Sequence, residues 1–383
     1  MKMNEAFKMV NKTQIYDFHK ENGKLIEFAG FEMPVWYKGI IEECLAVRNA
    51  AGIFDVSHMG RAFIYGEEDE AFLNYLTPND VSMLKPGMGH YSVMCNEQGG
   101  IIDDLILLRL KDKFLMVFNA SNRSKDLAWM YKQAEKFKVK IDHVSDEIAM
   151  FAIQGPKARE IVQKIAKENV YDIPRFGIGE LTLNGVKCLA SGTGYTGEDG
   201  FEIFVLNASI EKPQNAFKVW NSLLDAGKKL GLEPCGLGAR DVLRLEAGMC
   251  LYGNDIDELT TPFEAKISWV VKLNKKSDFI GRKALEKQKA EGIKKCRIGL
   301  KLKDKGIPRH GYEILKNHQV IGKVTSGTLS PILNIGIAMG YVPIEYSNIG
   351  EILQIKIRDR LVDAEVVNIP FYDTTKYGWK REK

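Results

Sequence analysis

Near residue 280 the chain changes texture, and that change limits its possible folds more than any single motif does. Before it, short apolar runs alternate with segments of helical spacing, the pattern of a layered α+β structure. Phe279 to Gly292 is a Lys- and Glu-rich helical stretch that reads as a surface connector. From Cys296 to Phe371 only short alternating strands remain, broken by turn residues as in Gly306-Ile307-Pro308-Arg309-His310-Gly311 and Ser326-Gly327-Thr328-Leu329-Ser330-Pro331. That is the pattern of a small β-barrel or sandwich. With 383 residues the chain is long for one core. We therefore expect two α+β parts, over 1–145 and 146–280, followed by a β-barrel domain over 290–383.

Composition excludes several classes. Hydrophobic content of 45% with 27% charge is ordinary for a globular protein and argues against disorder. A net charge of +4, with no basic run interleaved with aromatics, speaks against nucleic-acid binding. The six cysteines lack paired spacing, which fits reduced thiols and argues against a zinc site or a disulfide framework. Met1 to Phe18 has no apolar run of signal-peptide type, and Val324 to Ile344 is interrupted by glycine and proline. The expectation is a cytoplasmic protein with no membrane segment.

In the first part, Ile40 to Ala51 has helical spacing with Gly52 as its stop, and Ile53 to Gly60 alternates like one strand. Asp55, Ser57 and His58 invite a hydrolase triad, but neighbours on a strand face opposite ways, so we set that aside. Tyr91 to Cys95 and Ile101 to Leu110 are expected to form a hairpin around Asn96-Glu97-Gln98-Gly99-Gly100, and a helix is expected over Ser124 to Phe137. Asp103 and Asp104 stand inside the greasy second strand, an uncomfortable place for carboxylates. Alternation points them to opposite faces, so only one can serve a given pocket and a proton shared between them is not expected.

In the second part, Gly192, Gly194 and Gly197 have dinucleotide-loop spacing. That motif requires a following helix, whereas Phe201 to Val205 reads as a strand, so a hairpin with a wide glycine turn is expected. Glu202 is another acid in an apolar strand. Arg240, near the start of a helix after Gly236-Leu237-Gly238, either pairs with Asp241 or Glu246 or presents its fork to a ligand.

Taken together, Phe28-Ala29-Gly30-Phe31-Glu32-Met33-Pro34-Val35, Phe54-Asp55-Val56-Ser57-His58-Met59, Gly99-Gly100-Ile101-Ile102-Asp103-Asp104-Leu105, Gln154-Gly155-Pro156, Gly194-Tyr195-Thr196-Gly197-Glu198-Asp199-Gly200-Phe201-Glu202, Gly236-Leu237-Gly238-Ala239-Arg240-Asp241, Thr325-Ser326-Gly327 and Pro370-Phe371-Tyr372 occur in one order. The chain thereby resembles the aminomethyltransferases, the T-proteins of the glycine cleavage system, from about Thr13 to Tyr372.

The resemblance implies a three-part, cloverleaf-like α+β fold with a C-terminal β-barrel and tetrahydrofolate in a central channel. It implies transfer of the one-carbon unit of an aminomethyl-lipoyl carrier (the H-protein) to tetrahydrofolate, with release of ammonia and formation of 5,10-methylenetetrahydrofolate. No metal, flavin or nicotinamide is expected. By the same resemblance Asp104 is the catalytic carboxylate beside the reacting folate nitrogens, and Asp103 is its outward-facing neighbour. Glu202 and Arg240 are folate contacts, with Met59, Tyr91, Asn119 and Tyr195 lining the pocket. Met249 replaces an aromatic residue of some relatives. In the loosely matching tail, Tyr377 or Arg381 is the candidate contact. Lys272, Lys275 and Lys276 are candidates to meet an acidic carrier. The alternatives are a related folate-dependent demethylase and a folate-binding protein of iron–sulfur assembly.

Overall fold

In the computed structural model, which describes residues 10–382, the first sheet is five-stranded and antiparallel. Its order is Gly89–Cys95, Ile101–Arg109, Phe114–Phe118, Gly60–Gly66 and Val139–His143. Helices Asp69–Leu76 and Arg123–Ala134 share a core with it, built on Phe72, Leu73, Met116, Phe118 and Met130. The turn before the aspartate strand needs its glycines. Gly99 has a left-handed φ of 83°, and a Cβ on Gly100 would lie 1.9 Å from the Glu258 carbonyl oxygen.

The second sheet is six-stranded, in the order Ile178–Leu183, Val186–Ser191, Gly200–Val205, Ala149–Gln154, Ala51–Asp55 and Leu232–Pro234. Its core gathers Phe151, Phe201 and Ile203 around Trp220 of helix Gln214–Gly227. The two sheets meet through a second core. Leu108, Leu115 and Val117 come from one, and Phe54, Met150 and Phe204 from the other, with Leu243 of helix Leu237–Glu246 joining them.

Strand Ala51–Asp55 lies inside the second sheet although it precedes every strand of the first, so a cut at residue 146 follows chain order and not the sheets. The single strand expected over Ile53 to Gly60 is broken. Asp55 accepts the backbone N–H of Ser57 at 2.9 Å, a local bond that turns the chain and sends Gly60–Gly66 into the other sheet. The triad residues are structural: Asp55 pairs with His19 at 2.8 Å, and the Ser57 hydroxyl accepts the Met150 N–H at 2.9 Å. Helix Ile40–Asn49 ends before Gly52, which belongs to the strand; a Cβ there would meet Val47 at 2.4 Å. Close packing, not helix termination, accounts for that glycine.

After connector helix Arg282–Glu291, six strands from Lys295–Leu302 to Arg360–Val367 close into a barrel whose interior is apolar. Buried polar bonds weld it to helix Leu237–Glu246. Arg244 reaches Asp255 at 2.7 Å and the Ser326 hydroxyl at 2.8 Å, while Ser330 donates to Glu246 at 2.6 Å. Arg48, wholly buried, holds Glu246 at 2.8 Å and Glu198 at 2.9 Å. Beyond the barrel the chain returns to the second sheet. The N–H of Trp379 donates to the Gly197 carbonyl at 2.9 Å, and that of Gly378 to Glu198 at 3.0 Å. Among the described residues no helix is long and apolar enough to cross a membrane.

Candidate active site

Strand register assembles the first half of the site. Leu105 lies opposite Phe118, and Phe118 opposite Gly60. The next residues outward, Asp104, Asn119 and Met59, therefore meet at one end of three neighbouring strands. Asp104 pairs with Val93 on its other side, which brings Tyr91 to the same face.

Asp104 is half-buried. Its carboxylate accepts the Tyr91 hydroxyl at 3.0 Å and the Asn119 amide at 2.7 Å. Burial, reinforced by the charge of Asp103, pushes its carboxyl up to about 7, against the pull of those two hydrogen bonds. The Tyr91 phenol is raised well above its ordinary value, first by burial and then by Asp104. The half-exposed Trp269 ring packs on Tyr91 at 5.5 Å.

Asp103 is not outward-facing: it is fully buried, and it shares the Asn119 side-chain amide with Asp104. One of its oxygens accepts the side-chain amides of Asn119 at 2.9 Å and Asn122 at 2.7 Å, and the other accepts the Asn119 backbone N–H at 3.0 Å. Alternation did not separate the two carboxylates, since one side-chain amide reaches both. It also carried no information about what covers Asp103, which is the helix beginning at Arg123.

The other half of the site belongs to the second sheet and helix Leu237–Glu246. Glu202 is buried, in register between Ser191 and Ala152, and its carboxylate accepts the Thr193 hydroxyl. Burial raises its carboxyl, opposed by Thr193 and by the Arg240 charge. The partners once open to Arg240 are taken: Asp241 pairs with Arg244 at 2.7 Å and Glu246 with Arg48. The Arg240 guanidinium instead lies 4.7 Å from the centre of the Tyr195 ring. Tyr195 donates its hydroxyl to the Cys250 carbonyl and feels the charges of both Asp104 and Arg240, which ties the halves together. Met59 is half-buried, its carbonyl held by Arg61 at 2.8 Å. The preceding His58 is buried beside Arg240 and depressed to about 3, by burial first.

Three expectations take a different place. Arg381 is ion-paired with Glu198 and donates to the Arg48 carbonyl at 3.2 Å, with Tyr377 packed between it and Tyr372. The tail thus meets the loop after Tyr195, not the Asp104 group. Lys275 is buried, its ammonium donating to the carbonyls of Asn74 at 2.6 Å, Thr77 at 2.7 Å and Asn79 at 3.0 Å. It closes the end of helix Asp69–Leu76 and cannot meet a carrier, whereas Lys272 and Lys276 are exposed. Met249 ends the arginine helix, its N–H bonded to the Arg244 carbonyl at 2.9 Å.

Sequence reasoning passed over Thr193 and Asn122. It also passed over Asp126, although an acid four and seven residues before the inward-facing Met130 and Gln133 is a legible oddity.

A pair of sheets joined by an arginine-bearing helix and sealed by a separate six-stranded barrel defines a group-transfer enzyme of the T-protein architecture. The crystal structure of glycine cleavage system aminomethyltransferase T from Bartonella henselae superposes with a TM-score of 0.88 at 35% identity, covering 97% of this chain and 100% of that one. Residues 15–275 match the GCVT N-terminal domain, and residues 295–373 the glycine cleavage T-protein C-terminal barrel domain. Curated aminomethyltransferases are similar over nearly their whole length. That of Clostridium botulinum (strain 657 / Type Ba4) is 46% identical over 96% of this chain and 98% of its own. That of Bacillus subtilis (strain 168) is 45% identical over 95% and 99%. The chain belongs to the aminomethyltransferase family, the T-proteins of glycine cleavage.

Proposed function

We propose that this chain transfers the one-carbon unit of an aminomethyl group, held on the lipoyl arm of the H-protein carrier, to tetrahydrofolate in the cytoplasm. Ammonia and 5,10-methylenetetrahydrofolate are released and the arm is left as the dihydrolipoyl form. The curated relatives bear the aminomethyltransferase name, which favours this reading over demethylation or iron–sulfur assembly.

The observation that carries it is Asp104, a half-buried carboxylate fixed by Tyr91 and Asn119 and poised near neutrality. The carbon leaves sulfur and ammonia while forming bonds to two folate nitrogens, so positive iminium character develops on it. A fixed carboxylate stabilises that charge and receives a folate N–H proton. Glu202 accepts the paired donors of the pterin, its 2-amino group and ring N–H, in one bidentate contact. Arg240 presents its planar fork to a carbonyl or carboxylate of the same ligand, stacked on Tyr195, with Met59 as an apolar wall. We assign Tyr377 and Arg381 to holding the Gly197–Glu198 loop against the pocket.

Purified protein supplied with tetrahydrofolate and aminomethyl-loaded carrier should release ammonia. Absence of release with a carrier that a second aminomethyltransferase can unload rejects the reading.

A further inference from the structure

Behind the catalytic carboxylate lies an acid that the reaction itself does not use. Asp126, in the first turn of helix Arg123–Ala134, is fully buried. Among the described residues no N–H or O–H donor reaches either of its carboxyl oxygens. Yet Asn122, four residues before it and on the same helix face, donates to Asp103 at 2.7 Å, which turns Asp126 toward Asp103, a carboxylate that accepts three donors already and whose charge Asp126 feels. Two carboxylates cannot hydrogen-bond to one another, so the contact closes only with a proton between them.

The rest of the chain of contacts leads to the reacting centre. Asp103 takes the Asn119 amide and backbone N–H, and the same amide reaches Asp104 at 2.7 Å. Other groups facing this chain are few. Tyr91, Tyr195 and Cys250 lie near Asp104, Tyr252 near Asp103, and Lys125 beside Asp126. The Lys125 ammonium is turned away, to the Ile102 carbonyl and the Tyr252 hydroxyl, both at 2.7 Å.

We infer that Asp126 is a positioning residue for one-carbon transfer: a buried acid that donates its carboxyl hydrogen to Asp103 and, through Asp103 and Asn119, orients the carboxylate of Asp104. Its effect on Asp104 is geometric: the Asn119 amide that reaches Asp104 is shared with Asp103. Burial and the Asp103 charge keep Asp126 itself protonated, with its carboxyl raised to about 11 against any help the helix N-terminus gives the anion.

The inference rests on the functional reading above, and the test separates the two. In infrared difference spectra of resting protein at about pH 8, where an ordinary aspartate is ionised, wild type minus Asp126→Asn should show a protonated-carboxyl band that shifts on ¹³C-aspartate labelling. This arm needs neither folate nor carrier, and absence of the band overturns the proposal. In turnover, Asp126→Leu should lower kcat about tenfold or more with KM for tetrahydrofolate within about twofold, since positioning is lost and binding is not. Asp126→Asn, whose amide N–H₂ replaces the hydroxyl donor, should restore kcat to within about threefold. An Asn variant as impaired as the Leu variant also overturns it. Should Asp126→Leu fail to fold, the infrared arm and the Asn variant still decide.

Discussion

At the scale of single residues, the two carboxylates of the pocket differ in what they should control. Asp104→Asn keeps a hydrogen-bonding group beside Tyr91 but removes the charge that answers the developing iminium. It should lower kcat by about 10²- to 10⁴-fold while changing KM for tetrahydrofolate by no more than about threefold. Because Asp104 loses its proton near 7 and the carboxylate is the working form, wild-type activity should rise with pH through that region, and the limb should vanish in the variant. Glu202→Gln forfeits one half of a charged bidentate contact. Its KM for tetrahydrofolate should rise about tenfold or more with kcat within about threefold. Steady-state ammonia release across pH checks both.

Among the elements, helix Arg123–Ala134 has the least ordinary surface, since its first turn buries an acid against the aspartate strand. A carboxyl raised to about 11 in the fold and titrating near 3.9 when unfolded gives stability that is complete in acid and lost as pH rises between those limits. Asp126→Asn has no such loss, so its Tm should exceed that of wild type at about pH 8 and approach it near pH 4. Calorimetry across that range checks the sign. Most strands and helices were legible because their apolar period is local. The hairpin of the glycine loop, the aspartate strand and the arginine helix stand where periodicity put them. The break after Asp55 was hidden, because alternation continues through a turn that only a local Asp–Ser bond announces. The burial of Asp103 was hidden for another reason: a strand's pattern does not reveal which helix will cover it. Asp104, Glu202 and Arg240 could be singled out as misfits, but their convergence needed strand register and a helix from a distant part of the chain.

For the molecule as a whole, the joints between its parts are buried charges and not only apolar faces. Arg48 and Arg381 together answer Glu198 and Glu246, two cations for two anions, and the barrel adds the Ser330 hydroxyl. Arg48→Met would leave Glu246 with no cation and Glu198 with Arg381 alone, in a site with almost no solvent access. It should cost about 3–5 kcal/mol, read as a fall in the denaturation midpoint with its slope unchanged. The partner of Arg381 is 183 residues earlier, a separation over which no pattern in the tail could announce the bond. That separation has a temporal meaning. A growing chain folds from its N-terminus, so both sheets and the barrel leave the ribosome before residues 378–381 arrive to fasten Gly197 and Glu198. On an unfinished chain the loop bearing Tyr195 keeps its bonds to Arg48 and Gln154 and lacks those of the tail. A chain truncated before residue 378 should therefore keep both sheets and bind tetrahydrofolate more weakly than the full chain, which equilibrium binding checks.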